Sequence, residues 1–275
     1  MKQTKYLYMG KIQAVIFDWA GTTIDYGSLA PVNAFCELFK SHHVAITLSE
    51  ARAPMGVEKR EHIRQLLLIP RIQQAWLDTH RMVPDDNVID QLYNEFIPIQ
   101  KVSIAERSEL IPGVKAVFDY LIAHGIKVGA NTGYSQEMIT DMRQTATAQG
   151  YKPASVVCAT DVFRGRPFPD MLLKNMHELE VSAVQSVIKV DDTIAGIQEG
   201  LNAGCWTVGV TITGNEVGLD LPEWNKMSIE QQQILRSTAY ERLHNAGAHF
   251  VVDSVAELPK IIANIEKKLS NGEQP

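Results

Sequence analysis

Three features of this 275-residue chain have residue types and spacings that could do chemistry. The first is Asp18, which ends the apolar run Ala14-Val15-Ile16-Phe17 and precedes Trp19 and the turn Ala20-Gly21-Thr22-Thr23. Four consecutive apolar residues leave no solvent face, so the run reads as a buried strand of a parallel sheet with Asp18 at its carboxyl end. Ligands bind at that edge in open α/β sheets, and the turn rings the carboxylate with small residues, backbone donors and hydroxyls. An Asp that merely ends a strand has the same signature. The second feature is Lys59, within Met55-Gly56-Val57-Glu58-Lys59-Arg60-Glu61-His62-Ile63-Arg64-Gln65-Leu66-Leu67. On a helical projection Ile63, Leu66 and Leu67 fall within about 80° of Lys59, while Glu58, Arg60, Glu61, Arg64 and Gln65 take the other side. His62 shares the apolar stripe, within side-chain reach of Lys59. A lysine at the margin of such a face can snorkel its ammonium into water. A buried one loses its proton more readily, and the neutral amine can attack a carbonyl. Gly56 would let the backbone approach a ligand closely. The third feature is a set of further apolar runs that stop on polar residues: 126–130 before Asn131-Thr132-Gly133, 156–158 before Ala159-Thr160-Asp161, and 187–190 before Asp191-Asp192. An adjacent acidic pair also serves as a turn or helix cap.

These residues need a scaffold that brings strand ends together. Runs at 206–210 and 250–252 complete the strand pattern, and helical patterns lie between at 114–123, 137–148, 171–179 and 194–203. Strand-helix alternation predicts an α/β, doubly wound parallel sheet, and right-handed crossovers put every carboxyl end on one edge. Residues 27–106 break the alternation with helical patterns alone, at 32–40, 57–68, 72–81 and 87–105. They are expected to form an all-helical cap domain inserted into a core of residues 1–26 and 107–275, with hinges near Tyr26-Gly27-Ser28 and at 108–112, before Gly113. The alternative is that these helices extend the core. Residues 228–245 read as a polar helix with Ser228 as N-cap and Gly247 as stop, and the tail 271–275 should fray.

An apolar content of 45% suffices for a substantial interior. A net charge of −6 without a basic tract argues against a nucleic-acid surface. Cys36, Cys158 and Cys205 are odd in number and widely spaced, suggesting neither a disulfide framework nor a zinc site. The opening stretch, with Tyr6-Leu7-Tyr8-Met9, is too short for a signal core, and no run is long enough to span a membrane, so a cytoplasmic protein with no membrane partner is expected.

The segment Phe17-Asp18-Trp19-Ala20-Gly21-Thr22-Thr23 resembles the first motif of the haloacid dehalogenase superfamily, whose leading Asp is a nucleophile that becomes covalently modified. Most phosphatases of that superfamily carry a second Asp two residues on, which protonates the departing alkoxide; here the residue is Ala20. Loss of such an acid slows an ester phosphatase about 10²- to 10⁴-fold, so either the protein is crippled or its leaving group needs no acid. Ala53-Pro54-Met55-Gly56 with Lys59 three residues later, Asn131-Thr132-Gly133-Tyr134, Gly165-Arg166-Pro167 and Lys189-Val190-Asp191-Asp192-Thr193 narrow the resemblance. From about residue 12 to 252 the chain is similar to the branch of the superfamily that hydrolyses the carbon–phosphorus bond of phosphonoacetaldehyde.

That resemblance implies a Rossmann-like core with a helical cap, Asp18 as the nucleophile that forms an aspartyl-phosphate, and Lys59 as the amine of a Schiff base with the aldehyde. It implies Mg²⁺ held by Asp18, the carbonyl of Ala20 and Asp192, hard oxygen ligands that suit the ion. Asp191 stands where family members have Gly, and Gly196 where some have an acidic residue; Asp191 is assigned a supporting place, behind the ligands or through water. Thr132 and Arg166 would bind the phosphoryl group with donors from Gly21, Thr22 and Thr23, and the Arg fork matches that group. Without the resemblance Thr132 reads as a strand-ending turn and Arg166 as a surface ion pair. Met55, Gly56, His62, Gly133 and Tyr134 would shape the substrate pocket or relay protons. The relatives implied are homodimers joined through their caps. A phosphomonoesterase or phosphomutase of the same fold is disfavoured by Ala20, and a metal-free dehalogenase by Asp191, Asp192 and Arg166. A non-catalytic binding protein is disfavoured by the joint presence of Asp18, Thr132, Arg166 and Asp192.

Overall fold

The structure, a computed structural model, describes residues 7–275. Residues 1–6, with the Tyr6 that begins the apolar part of the opening stretch, lie outside the described residues. The strands are β1 (Ala14–Phe17), β2 (Lys127–Thr132), β3 (Ser155–Cys158), β4 (Val187–Asp191), β5 (Trp206–Val210) and β6 (Phe250–Val252), all parallel in the order β3-β2-β1-β4-β5-β6. This is the strand order of a doubly wound sheet, and its switch point lies beside β1. All four residues of β1 are buried, as an uninterrupted apolar run requires. Phe17 pairs with Ala130 of β2 and Val190 of β4, so Asp18 comes level with Asn131 and Asp191 at the carboxyl edge. The Asp18 N–H then donates to the Val190 carbonyl at 2.9 Å.

Six helices lie between β1 and β2, and the first five are α1 (Leu29–Ser41), α2 (Leu48–Arg52), α3 (Lys59–Leu68), α4 (Pro70–His80) and α5 (Asp86–Glu106). These five form the helical cap. Phe35, Leu38 and Phe39 of α1, Ile63 and Leu66 of α3, Ile72 of α4, and Leu92 and Phe96 of α5 are buried together, with the Phe35 and Phe96 rings stacked at 4.3 Å. Each such aliphatic side chain contributes about 1.5–3 kcal/mol by leaving water, which lets the cap hold a core of its own. Around the sheet run α6 (Val114–Ala123), α7 (Gln136–Ala148), α8 (Asp170–Glu178), α9 (Ile194–Ala203), α10 (Leu221–Lys226), α11 (Ile229–Asn245) and α12 (Leu258–Ser270).

The strand and helix ranges read from the sequence agree with these to within about three residues. Three helices were not expected: α2, which is five residues long, α10, and α12, which buries Leu258, Ile262, Ile265 and Leu269. The helix α3 starts at Lys59 and not at Val57, because the Glu58 carboxylate caps it by accepting from the N–H groups of Arg60 and Glu61 at 2.8 and 2.9 Å. Ser228 caps α11 as expected. The tail is tied down rather than frayed, since Gln274 Nε2 donates to the Tyr8 carbonyl at 3.1 Å and Lys268 pairs with Glu273. Cys36, Cys158 and Cys205 are free. Among the described residues no helix is long and apolar enough to cross a membrane.

Candidate active site

The ends of β1, β2 and β4 carry Asp18, Thr132 and Asp191 on the carboxyl edge of the sheet, and the register sets Asp18 level with Asp191 and Thr132 one residue beyond. Asp18 is 5% exposed, and its Oδ1 accepts from Arg166 Nη2 at 2.7 Å. Burial raises its pKa to about 6, and Arg166 opposes that rise. Arg166 is oriented in turn by Glu199 Oε2 at 3.1 Å and by Asn131, whose carbonyl and Oδ1 accept at 3.1 and 2.7 Å. The wholly buried Lys189 of β4 pairs with Asp191 and Glu199, each at 3.1 Å. Burial disfavours the Asp191 carboxylate, but Arg166 and Lys189 outweigh it and hold the group below its ordinary range.

Asp192 is fully buried beside this pair. Its Oδ1 accepts from the Thr22 hydroxyl at 2.9 Å and its Oδ2 from the Asn215 N–H at 2.7 Å. Burial and then the charges of Asp18 and Asp191 push its carboxyl well above the ordinary range. Oxygens of Asp18, Asp191 and Asp192 all lie within 4.8 Å of one another. Asp18, Asp191 and Glu199 pair with the two cations Arg166 and Lys189, and Asp192 adds a fourth buried acid, so these acids outnumber those cations by two. Hard oxygen donors with that excess fit a divalent cation such as Mg²⁺, which takes one or two carboxylates and keeps water around it. Asp191 sits directly over α9: a Cβ at Gly196 would fall on its carboxylate, so the acid at 191 and the glycine at 196 form one spatial unit.

The cap closes over this floor. Lys59, the first residue of α3, is 3% exposed, with Nζ 3.9 Å from Met55 Sδ and 5.0 and 5.6 Å from the ring centres of Tyr134 and Phe35. Burial lowers its pKa to about 8, against the opposing charge of Asp18. Lys59 and Asp18 line one small cavity with Ala20, Ser28, Pro31, Met55, Gly56, Thr132, Gly133, Tyr134, Arg166 and Thr193. Its volume is about 20 Å³, space for about one water. Asp18 is the one carboxylic acid in the wall, and Ala20 faces the space beside it. Larger hollows lie elsewhere, one of about 400 Å³ at the opposite edge of the sheet around Lys127 and Lys152, without a comparable cluster of polar groups.

Of the residues singled out in the sequence, Asp18, Ala20, Met55, Gly56, Lys59, Thr132, Gly133, Tyr134 and Arg166 converge on the cavity. Thr22 does not turn its hydroxyl there; that group is committed to Asp192. His62 is not in the wall either. It is 0% exposed, stacked 3.9 Å from the Phe35 ring, with Nε2 donating to the Ala51 carbonyl. Burial and then the charge on Lys59 hold its pKa well below the usual value, so it is a neutral ring behind the lysine. Gly56 has a φ of 97° and lies against the core: a Cβ would strike the Thr193 hydroxyl, so the close approach is to protein. Thr193, Ser28 and Pro31 in the wall, and Glu199 and Asn215 behind it, were not anticipated. Thr193 is the N-cap of α9 and follows the acidic pair, a position that could have marked it.

The family described as haloacid dehalogenase-like hydrolase matches residues 15–210. The chain is 49% identical over 268 residues to the phosphonoacetaldehyde hydrolase of Hahella chejuensis, covering 98% of this chain and 91% of that protein. It is 45% identical over 267 residues to the phosphonoacetaldehyde hydrolase of Paraburkholderia xenovorans, covering 97% and 100%. A crystal structure described as a phosphonoacetaldehyde hydrolase-like protein from Oleispira antarctica superposes with a TM-score of 0.98 at 55% identity, over the whole of both chains. The chain is therefore a hydrolase that belongs to the haloacid dehalogenase-like family and, within it, to the phosphonoacetaldehyde hydrolases.

Proposed function

We propose that the protein hydrolyses the carbon–phosphorus bond of phosphonoacetaldehyde to acetaldehyde and phosphate, with Lys59 and Asp18 as the two covalent catalysts. The observation that carries this reading is a buried, easily deprotonated amine sharing a cavity with a nucleophilic carboxylate, where Ala20 leaves no acid for an ester oxygen. A carbon leaving group has no bridging oxygen to protonate and needs an electron sink instead. The Lys59 amine adds to the aldehyde and loses water, giving a protonated imine β to phosphorus. Asp18 attacks phosphorus, and the carbon–phosphorus electron pair moves into the iminium to give an enamine on Lys59 and a phosphoryl group on Asp18. Protonation of the enamine carbon and addition of water release acetaldehyde and free the lysine, and a second water hydrolyses the aspartyl-phosphate.

Arg166 neutralises and orients the phosphoryl oxygens, with the Thr132 hydroxyl as a further donor. Bound at Asp18, Asp192 and the Ala20 carbonyl, Mg²⁺ would offset the repulsion between an anionic nucleophile and an anionic phosphonate. Met55, the aromatic ring of Tyr134 and, from behind, His62 keep water from the amine. The cap domain is residues 27–106 and the core residues 1–26 and 107–275. Since the cavity is far smaller than the substrate, the cap must swing open about its two connections to admit it. The left-handed backbone at Asp25, Gly27 and Ser28, with φ of 53°, 87° and 50°, marks the first of these connections. On this reading the enzyme acts in the cytoplasm, as a homodimer joined through the caps, the assembly that the family resemblance implies.

Lys59→Arg keeps a cation and removes the imine route, so a variant that melts like the parent should lose more than about 10³-fold in kcat/KM for phosphonoacetaldehyde. Phosphate release at the parental rate would remove the lysine from the mechanism. Imine formation needs the free amine, which burial makes available above a pKa of about 8. Asp18, with a pKa of about 6, ionises earlier on the way up and leaves the lysine to set the limb. Thus kcat/KM should rise about tenfold per pH unit below that value and level off above it, while a flat profile between about pH 6 and 9 would contradict the assignment. Light scattering should return twice the chain mass of 30.6 kDa, and a cap-deleted core should return the mass of one shortened chain; a full-length monomer would refute the dimer.

A further inference from the structure

Arg52 ends α2 and immediately precedes the segment that carries Met55, Gly56 and Lys59. Its side chain leaves the cap and ends among acceptors of the core and of the first connection. Nη1 donates to the carbonyls of Gly27 and Ser28 at 3.0 and 3.5 Å, and to the carbonyl and Oδ1 of Asn215 at 3.4 and 3.1 Å. Nη2 donates to the Gly218 carbonyl at 2.9 Å. The guanidinium lies so close to Gly218 that a Cβ there would stand 2.6 Å from its Cζ and Nε. All five acceptors are neutral, which suits a contact that forms and breaks with the cap.

The loop on which Arg52 lands is tied to the site at several points. The Asn215 N–H holds Asp192 Oδ2 at 2.7 Å, the Thr213 hydroxyl donates to the Gly21 carbonyl at 2.9 Å, and the Gly27 N–H donates to the Thr213 carbonyl at 2.7 Å. One stretch, 213–218, thus touches the acidic floor, the turn after Asp18, the first connection and the cap. The other polar contact of the 52–59 segment with the floor is Arg166 Nη1 to the Gly56 carbonyl at 3.3 Å; around it the segment only packs, against Thr193 and Gly133.

We propose that Arg52 is a positioning residue: it clamps the 53–59 segment of the cap onto the 213–218 loop, so setting where the Lys59 amine stands over Asp18 and making the orientation of Asp192 depend on a seated cap. The proposal rests on the reading of Lys59 and Asp18 as the reacting pair. A planar fork reaches the acceptors on both sides of the loop together, which a lysine cannot do.

The test compares Arg52→Met, Arg52→Lys and, as a control on a half-buried cap arginine paired with Asp90, Arg60→Met. Kinetics with phosphonoacetaldehyde and amide hydrogen exchange without substrate are read on proteins whose melts match the parent. Arg52→Met should lose about 10²-fold in kcat/KM, mostly in kcat, because misplacing a catalytic group by about 1 Å costs that much. Millimolar guanidinium should restore part of the loss. Exchange should quicken at least about tenfold at 53–59 and 213–218 and stay parental in β1 and β4, as expected of a local opening. Arg52→Lys should fall between, and serves alone if the methionine variant does not fold; Arg60→Met should change neither readout. Unchanged exchange at 53–59 and 213–218 in a folded Arg52 variant, or kcat/KM within about threefold of the parent in Arg52→Met, would overturn the clamp. A parent that does not turn over phosphonoacetaldehyde would instead defeat the proposed function, and the exchange result would still decide the role of Arg52.

Discussion

An amine withheld from water loses its preference for the charged form, and the rest of the site depends on that constraint at Lys59. The fall of its pKa from 10.5 to about 8 amounts to about 3 kcal/mol of destabilised ammonium. Two parts of the molecule supply the dry surroundings: Phe35 and Met55 belong to the cap, Tyr134 to the core. On the proposed mechanism, a lysine reactive enough to form an imine at neutral pH therefore exists only while the two are together. The contacts that seat them are close ones, with Gly56 against Thr193 and Gly133 against the Val57 carbonyl. Any side chain at either glycine would hold the cap away and rehydrate the amine.

Beneath the lysine the problem is the reverse, since the proposed reaction needs anions kept near a nucleophile that attacks an anion. Arg166 and Lys189 offset two of the four buried carboxylates, and their shared partners Glu199 and Asn131 fix both cations in place. Arg166 is thus already bound to Asp18, the position that the proposed phosphoryl contact requires. The pairing of an acid at 191 with a glycine at 196 follows the same logic. An acid at 191 over a glycine at 196 delivers a carboxylate to the volume that a side chain at 196 would otherwise fill.

Much of this arrangement could be read from residue order, because it depends on strand ends. The wholly apolar β1 must be buried, the mainly apolar runs of β2 and β4 align parallel to it, and Asp18, Thr132 and Asp191 follow at one edge. Lys59 was legible as the charged residue on an apolar helix face. The supporting groups were not. Glu199 and Asn215 look like ordinary surface residues of a helix and a loop, and only the folded chain shows them buried against Arg166 and Asp192. Arg52 was hidden because α2 is too short for periodicity to reveal. By contrast α12 was legible and missed: Leu258, Ile262, Ile265 and Leu269 recur at i, i+4, i+7 and i+11, a plain amphipathic stripe. His62 shared the stripe of Lys59, but pattern alone cannot tell a residue that faces a cavity from one that packs behind it.

The central claim is that amine and carboxylate act on one substrate molecule, the first before the second. Borohydride reduction of the enzyme during exposure to phosphonoacetaldehyde, followed by mass analysis of the peptide that contains Lys59, tests it most directly in parent and Asp18→Asn. The parent should carry an ethyl group on Lys59, left after carbon–phosphorus cleavage. Asp18→Asn, able to form the imine but not to accept the phosphoryl group, should carry a phosphonoethyl group on the same nitrogen. An ethyl adduct in Asp18→Asn, or an unmodified Lys59 in a parent that still releases phosphate, would contradict the account.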